Sequence, residues 1–587
     1  MASTSCLYTP VALPPLKARA PAAAGEPFKA LHALDHLREA MVAMVTFGLS
    51  PESLLLAWTD WAMHLAGAPG KRTELALRIA QAAPALLNPA PGRQGRQDPR
   101  FAGAAWQQEP YAQWARAFGL CEDWWRSATR DVPGTEPHHA QVVSFVARQW
   151  LDMLAPSNQP WSNPEVRERT LREGGMNLGR GALHFLHDLQ RKASAMPPVG
   201  SDDFVVGGNL ACTPGKVVMH NHLVELIQYS PTTATVHAEP VLLVSAWIMK
   251  YYILDLSPHN SMVHWLVGKG HTVFCLSWRN VTEADHDLTL EDYRRLGLMA
   301  ALAAIQTIVP GRKVHALGYC LGGTLLAIAA AAMARAGDDR LASVTLLAAQ
   351  TDFTEPGELQ LFIDHAQVHM LDSMMWQRGY LTPEQMSGAF QMLQSNDLVW
   401  SRMVHDYMLG ERAPISDLMA WNVDTTRMPQ RMHSEYLHRL FLDNELATGR
   451  YLVDEHPVAL QNIRVPLFVL GTERDHVAPW RSVYKIHYLA DTEVTFVLTS
   501  GGHNVGIVNE PDHHERHFRV NVKRPDAPCL SADEWHHAAR LREGSWWPFW
   551  QRWLVQHSSA RRVAAPRMGL QGSKPLAAAP GCYVMQH

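Results

Sequence analysis

Residues 314–324 read VHALGYCLGGT: an apolar run, a cysteine set among glycines, then the alanine-rich LLAIAAAAMA from Leu325. The first run has the composition of a buried strand and the last that of a helix, so the chain must turn sharply at Cys320. Gly318, Gly322 and Gly323 bracket that turn. Glycine there lets strand and helix pack closely and tolerates a conformation that pushes the central side chain outward. The pattern is G-x-S-x-G with cysteine in the serine position. At such a turn the Leu321 N–H, at the start of the helix, faces an oxyanion, and the helix dipole favours the thiolate.

Runs of the same kind fill the chain beyond about residue 200: PVLLVSAW (240–247), HTVFCLSW (271–278), KVHALGY (313–319), ASVTLLAA (342–349), VPLFVLG (465–471) and EVTFVLTS (493–500). Their alternation with helical stretches indicates an α/β fold with a parallel sheet. With the turn at Cys320, this predicts an α/β-hydrolase fold over residues 201–587. From about 353 to 450 the pattern is helical and rich in Met, Trp and His, without strand character, so a helical lid insertion is expected there. Residues 1–200 form a separate helical domain by the same reading. Ser50 caps and Pro51 opens a helix with Leu54, Trp58, Trp61 and Leu65 on one face. Leu34, Leu37, Met41 and Val45 make a second face, and both are too apolar to stay wet. The breaker cluster MPPVGSDD (196–203) marks the boundary, and NPAPGRQGRQDPR (88–100) reads as an exposed connection.

A thiol nucleophile needs a base, and in this fold the partners follow in the order nucleophile, acid, histidine, each on the loop after a strand. After VPLFVLG comes TERDHVAPW, offering Asp475; after EVTFVLTS comes GGHNVG, offering His503. Several rivals deserve mention. His476 adjoins Asp475, but neighbours on one loop usually point apart. His513 and His517 have the spacing of a metal pair if helical, without the carboxylate motif of a zincin. Trp546, Trp550 and Trp553 share a helical face suited to core packing. The reading therefore assigns no metal and no cofactor.

The formal charge of −4 over 587 residues leaves no field to draw the chain to nucleic acid. Seven cysteines without a CxxC pair argue against a disulfide framework or zinc ribbon and suit a reducing cytoplasm. No secretory signal and no run of about 18 apolar residues is visible, so no membrane span is expected.

Taken together, GYCLGGT, DHVAPW and GGHNVG resemble the polyhydroxyalkanoate synthases, the polyester polymerases of bacterial storage granules. NLACTPGKVV (209–218), KYYILDLSPHNSMVHWLV (250–267), SWRN (277–280), DFTEPGEL (352–359) and WNVDTTRMP (421–429) are similar to that family too. The amino-terminal and carboxy-terminal stretches resemble its long single-subunit (class I) type. The resemblance implies an acyltransferase that polymerises (R)-3-hydroxyacyl-CoA, such as the 3-hydroxybutyryl thioester, with release of CoA. Cys320 is then the acyl carrier, His503 its base and Asp475 the support of His503 or the activator of the incoming hydroxyl. By analogy with the fold, the second oxyanion donor is a backbone N–H near Trp247. The implied partners are the growing polyester at the granule surface and a second copy in a homodimer, in the cytoplasm, with residues 1–200 serving assembly and granule association. Two departures stand out. The family normally has Pro-Pro-Trp-Ile-Asn-Lys where this chain has Ser245, Ala246, Trp247, Ile248, Met249 and Lys250, and Arg474 stands where an acidic residue commonly precedes Asp475. Such an arginine would depress the Asp475 pKa. A thioesterase or polyester depolymerase using Cys320, or a weakly active granule-associated paralogue, is the alternative.

Overall fold

Six of the strands lie side by side and parallel: Val273–Trp278, Val241–Val244, Val314–Tyr319, Leu341–Leu347, Leu467–Thr472 and Val494–Thr499, in that spatial order. They match the six apolar runs of the sequence. Nearly every residue in them is buried, as expected of strands covered on both faces. The structure is a computed structural model describing residues 29–46, 48–87, 98–194, 196–386, 399–513, 515–559, 561–570 and 576–587.

Antiparallel strands extend the sheet at both edges to 11 strands. His517–Lys523 and Arg540–Glu543 add to one side, and Val224–Tyr229, Gly215–His220 and Ala577–Ala578 to the other. These five fall outside the predicted runs. In VELIQY, Glu225 and Gln228 interrupt the apolar pattern, yet both are buried. Glu225 accepts the N–H groups of Cys582 and Tyr583, and Gln228 pairs with Gly569 N–H and the Arg567 carbonyl. Distant partners satisfy these polar groups, so the strand carries no local signature.

The chain divides into two compact units. One comprises Met1–Met41, described from Lys29, with Asp202–Glu384 and Ser416–His587; the other comprises Val42–Ser201 and Gln385–Ile415. The first holds the sheet. Most of the predicted insertion belongs to it as helices His365–Trp376, Asp417–Val423 and Gln430–Tyr436, with Ile363, Val368 and Leu437 packed among Leu371, Tyr436 and Phe441. The short strands Tyr380–Leu381 and Met428–Pro429, which the helical reading omitted, pair antiparallel within it.

The second unit is helical, and Gln385–Ile415 belongs to it although the sequence placed this stretch in the lid. The reason lies on helix Met176–Ala193. Asn177 Nδ2 donates to the Met408 carbonyl at 2.8 Å, Tyr407 donates to Asp188 at 2.9 Å, and a Cβ on Gly181 would lie 1.7 Å from the Tyr407 carbonyl oxygen. The polar side of this helix thus faces inward, while Leu183, Phe185, Leu186 and Leu189 are exposed. Of the two apolar faces read near the amino terminus, Trp61 is buried and donates to the Ala128 carbonyl, but Trp58 and Met41 are 44% and 57% exposed. The side chains of Leu34 and Val45 lie outside the described residues.

Candidate active site

Strand Val314–Tyr319 runs straight into helix Leu321–Arg335, and Cys320 between them has φ 52° and ψ −124°. A non-glycine residue in such a conformation costs on the order of 1–3 kcal/mol and persists only when its surroundings fix it. Here they do. Cys320 N–H donates to the Leu347 carbonyl at 2.9 Å, and its own carbonyl accepts from Gly323 and Thr324 N–H groups. A Cβ on Gly318 would lie 2.4 Å from Gly323 Cα, and one on Gly323 would lie 2.4 Å from Ala349 Cβ. The turn therefore needs glycine on both sides, and it leaves Cys320 half-buried.

Two further strand ends complete the arrangement. Asp475 follows Leu467–Thr472 and is held by Thr472 Oγ1 at 3.1 Å and by the N–H groups of Val477 and Ala478 at 2.9 and 2.8 Å. His503 follows Val494–Thr499, and its Nδ1 is 2.8 Å from Asp475 Oδ2. Cys320 lies close enough to act on this imidazole. Burial opposes the charged imidazole, yet the Asp475 carboxylate and Cys320 outweigh it and hold the His503 pKa well above its ordinary value. Burial would likewise raise Asp475, but His503 and the two amides keep it below the usual carboxylate range. The side chain of Arg474 is exposed, and it is the backbone N–H of that residue that reaches the site, donating to Gly501 at 2.9 Å.

Facing the turn is the loop after Val241–Val244. A Cβ on Gly322 would lie 2.3 Å from the Val244 carbonyl oxygen, so loop and helix start touch through their backbones. The Trp247 ring lies tilted 4.4 Å from the Tyr293 ring and edge-on 5.3 Å from the Trp278 ring. The insertion braces the loop from above. Thr426 Oγ1 donates to the Trp247 carbonyl, Thr426 N–H to the Ile248 carbonyl at 3.3 Å, and Trp421 Nε1 to the Lys250 carbonyl at 2.8 Å. Among the described residues, neither the Leu321 nor the Trp247 N–H is paired with a backbone carbonyl in the loops and turns.

The family profile described as Poly-beta-hydroxybutyrate polymerase N terminal matches residues 29–71, and that described as Poly-beta-hydroxybutyrate polymerase (PhaC) N-terminus matches residues 97–266. An alpha/beta hydrolase fold profile matches residues 239–510. The chain is 38% identical over 492 residues to the poly(3-hydroxyalkanoate) polymerase of Methylorubrum extorquens, covering 83% of this chain and 80% of that one. It is 34% identical to the polymerase subunit of Cupriavidus necator, covering 83% of each. The chain belongs to the poly(3-hydroxyalkanoate) polymerase family.

The rival residues of this polymerase chain lie elsewhere. Asp475 binds His503 rather than the adjacent His476, whose pKa burial pushes down. His513 follows a turn and His517 opens a strand with Nε2 3.1 Å from Glu473, so they share no helical face. No group of three or more potential metal ligands occurs among the described residues. Trp546, Trp550 and Trp553 are buried.

Sequence reasoning missed what steadies His503. Trp546 Nε1 donates to the Gly506 carbonyl at 2.9 Å, and Trp547 Nε1 to the Ile507 carbonyl at 3.0 Å, pinning the histidine loop from a helix some 40 residues on. Tyr319 donates to Asn504 Oδ1 at 2.5 Å and lies 5.5 Å from the His503 ring. Asn504 in turn donates to Asn422 of the insertion at 3.3 Å. Only the adjacency of Tyr319 to Cys320 and of Asn504 to His503 hinted at this in the sequence.

Proposed function

We propose that this chain joins (R)-3-hydroxyacyl groups from coenzyme A thioesters into polyester through an acyl-enzyme on Cys320. The observation that carries the reading is that Cys320, Asp475 and His503 each follow a strand of one parallel sheet, with His503 Nδ1 2.8 Å from Asp475 Oδ2. His503 takes the thiol proton, and the sulfur bonds to the thioester carbonyl carbon. Leu321 and Trp247 N–H groups hold the oxyanion. The bond to CoA then breaks, and CoA leaves with the proton from His503.

Cysteine suits this chemistry better than serine. Exchange between two thioesters is nearly isoenergetic, so the acyl group keeps its transfer potential. The 3-hydroxyl of the next unit, giving its proton to the His503–Asp475 pair, attacks the acyl-enzyme, forms an oxoester and frees the Cys320 sulfur. Transfer over hydrolysis calls for exclusion of water, and Phe353, Tyr436 and Phe441 of the insertion, with ring centroids 4.8–6.2 Å apart, supply apolar cover. The exposed apolar side chains of helix Met176–Ala193 and Trp58 suit a role for the helical unit in self-association and contact with hydrophobic product. The enzyme would then work at the granule surface in the cytoplasm. No helix among the described residues is long and apolar enough to cross a membrane.

Incubation with (R)-3-hydroxybutyryl-CoA, following free CoA and insoluble polymer together, tests the reading. CoA with polymer is expected, and Cys320→Ala should abolish both. CoA with free 3-hydroxy acid would identify a hydrolase instead, and undiminished turnover in Cys320→Ala would remove the nucleophile.

A further inference from the structure

Resting on the oxyanion role proposed above, the structure points to a second brace for the Trp247 loop, built by residues at the far end of the sequence. The segment from Gly581 is anchored on the sheet. Glu225, buried in Val224–Tyr229, accepts the N–H groups of Cys582 and Tyr583 at 2.9 and 3.0 Å, Tyr583 donates to the Asn221 carbonyl at 2.5 Å, and Val584 is 1% exposed. From this anchor two more residues reach the site side. The Gln586 carbonyl accepts from Lys250 Nζ, and its side-chain Oε1 accepts from Asn280 N–H at 3.1 Å. The His587 carbonyl accepts from Arg427 at 3.2 Å.

Lys250 is the pivot of this arrangement. It ends the loop that carries Trp247, yet it is 3% exposed, and among the described residues its ammonium has one hydrogen-bond partner, the Gln586 carbonyl. The Asp424 carboxylate attracts the same ammonium, but a buried ammonium that loses its hydrogen-bond acceptor is costly, so Gln586 fixes where the side chain and the loop backbone behind it sit. Asn280 links the same residue to the insertion, because its Oδ1 accepts from Arg427 N–H at 3.0 Å. Residues 586 and 587 thereby tie together the loop end, the end of strand Val273–Trp278 and the return of the insertion. We infer that Gln586 and Lys250 are a positioning pair for the oxyanion loop: the carbonyl of one fixes the ammonium of the other, and through it the Trp247 N–H.

Two variants and their combination test this. Lys250→Met keeps the stem and removes the donor, whereas a variant lacking Gln586 and His587 keeps the anchor on Glu225. Removing an oxyanion donor outright costs about 10²–10³ in kcat, so a donor that is only loosened should cost about tenfold, with KM little changed. Both changes break the Lys250–Gln586 contact, and the deletion also removes those of Asn280 and Arg427, so the double variant should be no slower than the deletion alone. Alkylation of Cys320 by iodoacetamide is the control, since displacement at a saturated carbon needs the thiolate and no oxyanion hole. Its rate and pH profile should stay within about twofold of wild type. Unchanged kcat in both variants would overturn the inference, as would additive losses or a parallel fall in alkylation rate, which would mark a general structural role. Alkylation that leaves wild-type turnover intact would instead refute the Cys320 mechanism itself.

Discussion

Replacing Gly322 by alanine should disable the proposed site while leaving Cys320, His503 and Asp475 in place. The added Cβ would stand 2.3 Å from the Val244 carbonyl oxygen and 2.7 Å from that of Ser245, where real contacts essentially never fall below 3.0 Å. Neither oxygen can swing away as a side-chain atom would. Trp278 Nε1 holds the Ser245 carbonyl at 2.9 Å, and Val244 is paired within the sheet. Helix start and loop must therefore part by about 0.7 Å, the difference between those two distances. Leu321 N–H rides on the helix and Trp247 N–H on the loop, so the two donors separate. A misplacement of about 1 Å costs on the order of 10²-fold, and kcat should fall by roughly 10- to 100-fold. Overpacking of this kind also destabilises by about 1–3 kcal/mol, visible in the urea midpoint of the sheet-bearing unit. CoA release under saturating substrate gives kcat, with Gly119→Ala as the control. Gly119 is helical with nothing within 4 Å of an added Cβ, so that variant should keep full activity and gain up to about 1 kcal/mol. Were Gly322→Ala to retain kcat within about twofold, close backbone approach would not be what sets the oxyanion geometry.

His503→Gln should stop acylation, and Asp475→Asn should slow turnover by up to about 10⁴-fold, whereas His476→Ala should be mild; single-turnover CoA release ranks them, and a reversed order of the two histidines would sink the assignment. Trp546→Phe keeps a ring but strands the buried Gly506 carbonyl, costing about 1–3 kcal/mol; kcat should fall more than KM rises, and an unchanged kcat would show that the histidine loop needs no such pin. Acid should weaken the fold well before the carboxylates titrate. Burial pushes His271 and His487 down to about 3, and His315 and His433 to about 4, from an ordinary 6.5. Neutral when folded and charged when unfolded below pH 6.5, each contributes stability that is complete above that value and drains as pH falls toward 4, by roughly 1.4 kcal/mol per unit. Urea midpoints at pH 7.5 and 5.5 should differ accordingly, and equal midpoints would contradict the burial of these rings.

The six parallel strands were legible because strands buried on both faces read as unbroken apolar runs, and the turn at Cys320 because glycine alone fits its close contacts. Asp475 and His503 could be proposed from their order after strands. The edge strands were not legible: Glu225 and Gln228 look polar until their partners beyond residue 560 are known. The same holds for the Trp546 and Trp547 pins and for the membership of Gln385–Ile415 in the helical unit. Each depends on a contact between residues far apart in sequence, and nothing in the local pattern of either partner announces it. Arg474 illustrates the converse error, since its position beside Asp475 suggested a charge effect, yet its side chain is exposed and its backbone makes the contact.

The bracing of the Trp247 loop by Trp421 and Thr426 bears on how this enzyme can be re-engineered. If the insertion covers Cys320 as proposed, it is the natural module to exchange between relatives when a different acyl chain is wanted. It is not a detachable part. A graft that imports foreign residues at 421 and 426 onto the native loop mixes two halves of one interface, and the chimaera would lose rate on every substrate, masking any new preference. Residues 245–250 and 421–427 therefore form one unit of inheritance, to be swapped together or left alone.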